Sequence, residues 1–229
     1  MPVISSAERR MIFERTRRAF GTEDLIPHTG MLPVIDRSQR ELTFIIADVS
    51  GSMGAKFDRE TTKMEASIQA LTLFITNKAK LDPDDEIGVI TFTNLARLLH
   101  PLSRLAEHKA KMITTIQSLK DGSGTDLATG LAAASSAFEW ARNGVVRRIM
   151  MYTDGQGGDP VTIAETLKAR GVVIDVVGVG SKPSNVNEPL LKRVASVIEG
   201  VVHYRFIKDH NTLDAHFTRL AGKTATSVH

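Results

Sequence analysis

Asp48, Ser50 and Ser52 follow the apolar run Leu42-Thr43-Phe44-Ile45-Ile46-Ala47 at alternating positions. One carboxylate and two hydroxyls on the turn leaving a strand can be aimed at a single hard cation, and Gly51 and Gly54 permit the bend. Two more oxygen-bearing segments lie downstream. Gly122-Ser123-Gly124-Thr125-Asp126 opens an amphipathic stretch, and Tyr152-Thr153-Asp154-Gly155 closes an apolar run that begins at Val145. Asp48, Ser50, Ser52, Thr125 and Asp154 together offer two carboxylates and three hydroxyls, with no histidine or thiol among them. Such donors suit Mg²⁺, Mn²⁺ or Ca²⁺ over zinc or copper.

Convergence of three distant segments requires a scaffold that returns each to one edge. From Glu41 onward, apolar runs alternate with amphipathic segments, the pattern of an α/β doubly wound, Rossmann-like, mostly parallel sheet with helices on both faces. Strands are expected at Leu42–Ala47, Glu86–Thr93, Val145–Tyr152, Val172–Val177 and Val201–Arg205. A run at Ala96–His100 reads as a hairpin return, and hence as one antiparallel edge strand. Helices are expected at Thr62–Ala79, Leu105–Ser118, Leu127–Arg142, Pro160–Arg170, Asn187–Val197 and Asn211–Leu220. In such sheets ligands bind outside the carboxyl ends of the strands, where all three oxygen-rich segments fall. Residues 1–40 stand apart as an N-terminal extension. Ser6–Phe20 can form a charged helix, after which Gly21, Pro27, Gly30 and Pro33 break any period.

The order Asp48-x-Ser50-x-Ser52, then Thr125 among glycines, then Thr153-Asp154-Gly155 resembles the metal-ion-dependent adhesion site of von Willebrand factor A domains, called I domains in integrins. The resemblance covers about residues 41 to 221, so residues 41–229 are read as that domain. It implies that Ser50, Ser52 and Thr125 supply hydroxyl ligands, Thr125 directly or through water. It implies that Asp48 and Asp154 neutralise the ion, largely through bound waters, and that a partner protein's Asp or Glu takes the remaining position. Few charged oxygens in direct contact would keep the ion electrophilic enough for that. A non-enzymatic, metal-dependent protein-binding module is therefore expected. Family analogy adds a possible association with AAA+ ATPases of the MoxR or chelatase type, or with bacterial stress or defence systems.

Each segment also has an ordinary role. Asp48 and Asp154 suit turns, Thr125 and Asp126 suit helix N-caps, and Lys56 and Asp58 suit a solvated loop. The glycine-rich Gly122–Thr125 lacks the Gly-Lys-Ser/Thr ending of a phosphate loop. A phosphatase-like enzyme with Asp48 as nucleophile is a second reading, weakened because Ser50 stands where a second carboxylate would be needed. A scaffold that binds through residues 1–40, with a structural metal, is a third.

Composition narrows the classes further. The chain has no cysteine, which excludes disulfides and thiolate metal sites and suits a reducing cytoplasm. No apolar window reaches the roughly 18 residues a membrane helix needs, and Met1–Arg18 lacks the features of a secretory signal. The net charge is +3, and the pairs Arg9-Arg10, Arg17-Arg18 and Arg147-Arg148 read as solvated surface, not as a nucleic-acid footprint. His210 and His216 read as surface residues of the last helix, and Met150 and Met151 as core.

Overall fold

The computed structural model describes residues 40–139, 145–155 and 157–225. The expected helix at Ser6–Phe20 lies outside them. A six-stranded sheet forms the centre: β1 (Glu41–Asp48), β2 (Glu86–Phe92), β3 (Ala96–Arg104), β4 (Val146–Thr153), β5 (Val172–Val179) and, after the short ribbon β6 (Val197–Ile198) and β7 (Val201–Val202), β8 (Tyr204–Ile207). Its order is β3-β2-β1-β4-β5-β8. Pairing is parallel throughout except for β2 with β3, so the expected antiparallel edge strand is present.

All eight residues of β1 are buried, as expected for a central strand covered on both faces. Successive side chains alternate between two cores. Ile45 and Ala47 face α1 (Lys63–Leu81), α2 (Leu105–Gln117) and α6 (His210–Ala221). Phe44 and Ile46 face α3 (Leu127–Phe138), α4 (Val161–Ala169) and α5 (Glu188–Val194). Met150 and Met151 divide between these cores, both buried.

The helices start and stop where side chains satisfy their free backbone groups. Thr62 opens α1 with a capping box: its hydroxyl accepts Glu65 N at 3.1 Å, and Glu65 Oε2 accepts Thr62 N at 2.8 Å. Asp126 caps α3 by accepting Ala128 N at 3.0 Å, and Asp209 caps α6 by accepting Thr212 N at 2.8 Å.

Several boundaries differ from the sequence pattern: the edge strand expected at Ala96–His100 runs on to Arg104, the helix expected at Leu127–Arg142 ends at Phe138, and two more differences have a visible cause. The helix expected at Asn187–Val197 ends at Val194, because Ala195 turns extended and Ser196 N bonds Ile174 O at 2.9 Å. The strand expected at Val201–Arg205 is two pieces. His203 N bonds Ser196 O at 2.8 Å, closing the small ribbon, before Tyr204 joins the main sheet beside Val176.

The Arg147-Arg148 pair is not simply solvated surface. Arg148 is fully buried in the lower half of the sheet, with Nε donating to Asp175 Oδ2 at 2.6 Å and Nη1 to Glu41 Oε1 at 3.4 Å. His203 Nδ1 lies 2.9 Å from Asp175 Oδ1, and Lys78 Nζ lies 2.8 Å from Asp85 and 3.7 Å from Glu41. Burial pushes the Glu41 carboxyl up, but Arg148, Lys78, the Thr43 hydroxyl and the Ala225 amide outweigh it and hold it low. The layer also anchors the segment after α6: Ala225 N donates to Glu41 Oε2 at 2.8 Å, and Lys223 O accepts Arg148 Nη1 at 3.4 Å.

Replacing one member of a buried ion layer strands the others in a low dielectric. Arg148→Met is expected to lower stability by about 3–5 kcal/mol in a denaturant melt, because Glu41 and Asp175 lose their shared cation. A loss below about 1 kcal/mol, the range of surface pairs, would contradict this account.

Candidate metal centre

The centre is built where β1 and β4 end side by side. Asp48 is fully buried. Its Oδ1 accepts Ser50 N at 2.9 Å, which folds the chain back into the short 3₁₀ turn Gly51–Gly54. Its Oδ2 accepts the Thr153 hydroxyl at 2.5 Å, and Thr153 Oγ1 in turn accepts Gly155 N at 2.9 Å. Thr153 therefore ties the two strand ends together. The turn brings Ser50 Oγ and Ser52 Oγ to 3.0 Å of each other, so two hydroxyls from one loop share a location.

The glycine-rich loop is stitched onto that turn through backbone. Gly122 N donates to Val49 O at 2.6 Å, and Asp126 N donates to Thr93 O at 2.8 Å. Gly124 has φ 80°, a conformation that favours glycine, and a Cβ there would also have to push the Asn94 amide aside. Thr125 sits in this loop, half-buried. Among the described residues its hydroxyl makes no hydrogen bond to the other four oxygen-bearing residues; only its loop is joined to their turn. Asp126 is the helix cap.

Asp154 is 1% exposed. Its Oδ2 accepts Lys63 Nζ at 3.0 Å, while its buried Oδ1 has no hydrogen-bond partner. Lys63 is the first residue of α1 and only 6% exposed. Burial pushes the Asp48 carboxyl up; hydrogen bonds from Ser50 and Thr153 pull it down, and the like charge of Asp154 adds to the rise. The chemistry of the set would suit a cation. It holds two buried carboxylates of like charge, one of them with an unpartnered oxygen, beside a pair of hydroxyls. Among the described residues no three His, Asp or Glu side chains cluster as a metal cage, so any ion here relies on hydroxyls and water. Ser50, Ser52 and Asp154 would hold it, with Asp48 and Thr153 behind them.

Lys63 and Thr153 were not among the residues selected from the sequence. Thr153 lies within the Thr153-Asp154-Gly155 motif, but its spacing gives it no role of its own, because its partner Asp48 is 105 residues away. The Thr62-x-x-Glu65 capping signature does fix Lys63 at the start of a helix, but its partner lies 91 residues away and no local pattern announces it.

The loop after the turn is more than a solvated rim. Asp58 Oδ1 accepts Glu60 N at 3.0 Å and Thr61 N at 2.9 Å, and Asp58 Oδ2 accepts His210 N at 3.0 Å. The same oxygen lies 2.7 Å from His210 Nδ1. Asp58 thus clips this loop to the start of α6, and the backbone amide of His210 leads the effects that hold its carboxyl well below the usual range. His216 likewise is not a surface residue: it is 8% exposed, and its ring meets Phe217 edge-on. A helix one face of which is buried can hide a histidine that its sequence neighbours do not reveal.

Residues 43–156 match the family model described as von Willebrand factor type A domain. A curated relative, calcium-activated chloride channel regulator 1 of Bos taurus, is 25% identical over 194 residues, which is 83% of this chain. The chain spans only 20% of that relative's length. Among solved structures, a von Willebrand factor type A protein from Catenulispora acidiphila superposes with a TM-score of 0.64 at 23% identity, over 82% of this chain and 43% of that one. The SpRpn10 VWA domain superposes with a TM-score of 0.64 at 19% identity, over 83% of this chain and 99% of that one. At these identities the structures show the shared fold.

The Asp58 clip has a pH signature. The Asp58 hydrogen bond leads the effects that raise the His210 pKa. A raised folded value means the clip contributes its full stability below the ordinary histidine pKa of about 6.5 and loses it as pH climbs through the folded value. An NMR titration is expected to place the His210 midpoint above about 6.5, and Asp58→Asn to return it toward that value. Identical midpoints in the two proteins would show that the clip does not form.

Proposed function

We infer that this chain belongs to the von Willebrand factor type A family, whose domains commonly mediate protein–protein interactions, and that it binds an acidic partner through a divalent cation at the sheet edge. The observation that carries the reading is the buried, unpartnered Oδ1 of Asp154, a carboxylate near enough to Asp48 for their like charges to act on each other. Ser50, Ser52, Asp154 and, after a loop adjustment, Thr125 would hold Mg²⁺ or Mn²⁺. The ion would supply a Lewis-acidic point for a carboxylate. Asp48 and Thr153 orient the turn, and Lys63 restrains Asp154.

A hydrolytic reading has less support. Asp48 spends both oxygens on Ser50 N and the Thr153 hydroxyl, so it is poorly presented as a nucleophile. The module is accordingly proposed as non-enzymatic. A cytoplasmic setting, which a chain without cysteine suits, is part of this proposal, and AAA+ ATPases are the partner class that family analogy offers for a first test. Among the described residues no helix is long and apolar enough to cross a membrane.

Ligand linkage provides the direct test. Mg²⁺ at about a hundred times its dissociation constant is expected to add about 2.7 kcal/mol to unfolding free energy, and EDTA to remove it. Ser50→Ala combined with Ser52→Ala should abolish that increment while the metal-free protein stays folded. Partner capture from the native host should follow the same pattern. An unchanged melt in Mg²⁺, Mn²⁺ and EDTA would overturn the metal reading.

A further inference from the structure

A cavity of about 190 Å³ lies at the β8 edge of the sheet, walled by β5, the β6–β7 ribbon, β8 and α6. None of its lining residues belongs to the candidate metal centre. Its wall carries Arg205 from β8, Arg219 from α6, Lys223 just beyond that helix, and the rings of His203 and His216. Among the described lining residues the one carboxylate is Asp175.

Three permanent cations are thus set against one carboxylate, and that carboxylate is already engaged by the buried ion layer. Arg148 Nε donates to Asp175 Oδ2 at 2.6 Å, and His203 Nδ1 lies 2.9 Å from Asp175 Oδ1. Lys223 registers the imbalance. It is half-buried, and burial first, then the charges of Arg219 and Arg148, hold its ammonium below the usual lysine range against the opposing pull of Asp175.

Helix polarity explains part of this arrangement, since a cation is favoured in the last turn of a helix, where Arg219 stands. It does not explain why the cations share one cavity. His216, Arg219 and Lys223 recur at helical spacing, at which like charges repel, and Arg205 arrives from a separate element. Like charges held around a concave space are stabilised by an anion that reaches all of them. Guanidinium groups from two elements and an ammonium match an oxyanion that accepts several hydrogen bonds at once. The cavity is several times the roughly 30 Å³ that one water occupies in the liquid, so a phosphate group fits.

We propose that this cavity binds a phosphate group, free or carried on a small ester, through Arg205, Arg219 and Lys223. The site is independent of the metal reading above. An anion there joins β8 to the end of α6 and to the segment after it, where Lys223 O already accepts Arg148 Nη1 at 3.4 Å.

Calorimetric titration of the full chain tests this, in EDTA and at constant ionic strength, with inorganic phosphate, glycerol 3-phosphate and acetate as probes. Saturable binding of a phosphate compound is expected, on the order of tenfold tighter than acetate. Arg219→Gln and Lys223→Gln should each weaken it on the order of tenfold, the effect of one lost charge-assisted hydrogen bond. Arg97→Gln removes an exposed charge from the β3 edge and should leave binding unchanged. Tighter binding of the ester assigns the site to a phosphomonoester, and tighter binding of inorganic phosphate assigns it to the free ion. Melting without phosphate checks that the variants fold. Should one melt early, phosphate-dependent NMR shifts of the His203 and His216 rings in the unaltered protein decide the question. Absence of saturable binding, equal losses in Arg97→Gln and the cavity variants, or ring signals that do not respond would overturn the proposal.

Discussion

Two carboxylates from neighbouring parallel strands, Asp48 and Asp154, are forced into one buried corner, and their mutual repulsion organises what surrounds them. Parallel pairing of β1 with β4 brings Ala47 opposite Tyr152, so the residues just beyond must meet at the strand ends. Water cannot disperse the charge there, since the two side chains are 0% and 1% exposed. The protein answers with hydrogen bonds to Asp48 from Ser50 and Thr153 and with the ammonium of Lys63 on Asp154. One oxygen is left over. That residue of unbalanced charge, beside two hydroxyls, is the physical basis for assigning a cation to the edge.

A second charged layer lies lower in the sheet and is balanced differently. Arg148, Asp175, Glu41, Lys78, Asp85 and His203 pair among themselves, and Glu41 and Arg148 also hold the backbone after α6. Between the layers run the apolar contacts of both cores, including the edge-on pair Phe74 and Phe217 that joins α1 to α6. The upper site is thus carried on a sheet whose lower half is pinned by ion pairs. The Asp58–His210 clip adds a link from the loop after the Ser50–Ser52 turn to the start of α6. Such pinning favours a preorganised site over one assembled on binding, which reduces the ordering cost of association.

Much of this was legible in the sequence, and the limits have a common cause. The strands were visible because buried parallel strands read as continuous apolar runs, and the oxygen turn was visible because glycine and serine punctuate it. The antiparallel edge and the cap at Asp126 were visible for the same reason, since they obey local rules. The sequence pattern was silent on Lys63, and Arg148 and His216 read as surface although both are buried, because burial there is set by segments far along the chain. A basic residue beside another basic residue reads as surface until the fold places Asp175 within 2.6 Å of it. The helix that stops at Val194 shows the same limit: Ser196 is captured by the distant Ile174, which overrides a helical period.

The central claim is that a divalent ion sits among Ser50, Ser52 and Asp154. Crystals grown with Mn²⁺ and measured for its anomalous scattering would locate such an ion without reference to any partner. The account predicts one strong anomalous peak within about 2.0–2.6 Å of the Ser50 and Ser52 hydroxyl oxygens, the range for hard cations on oxygen. No peak at that position in well-ordered crystals, or a peak only on exposed surface carboxylates, would contradict it.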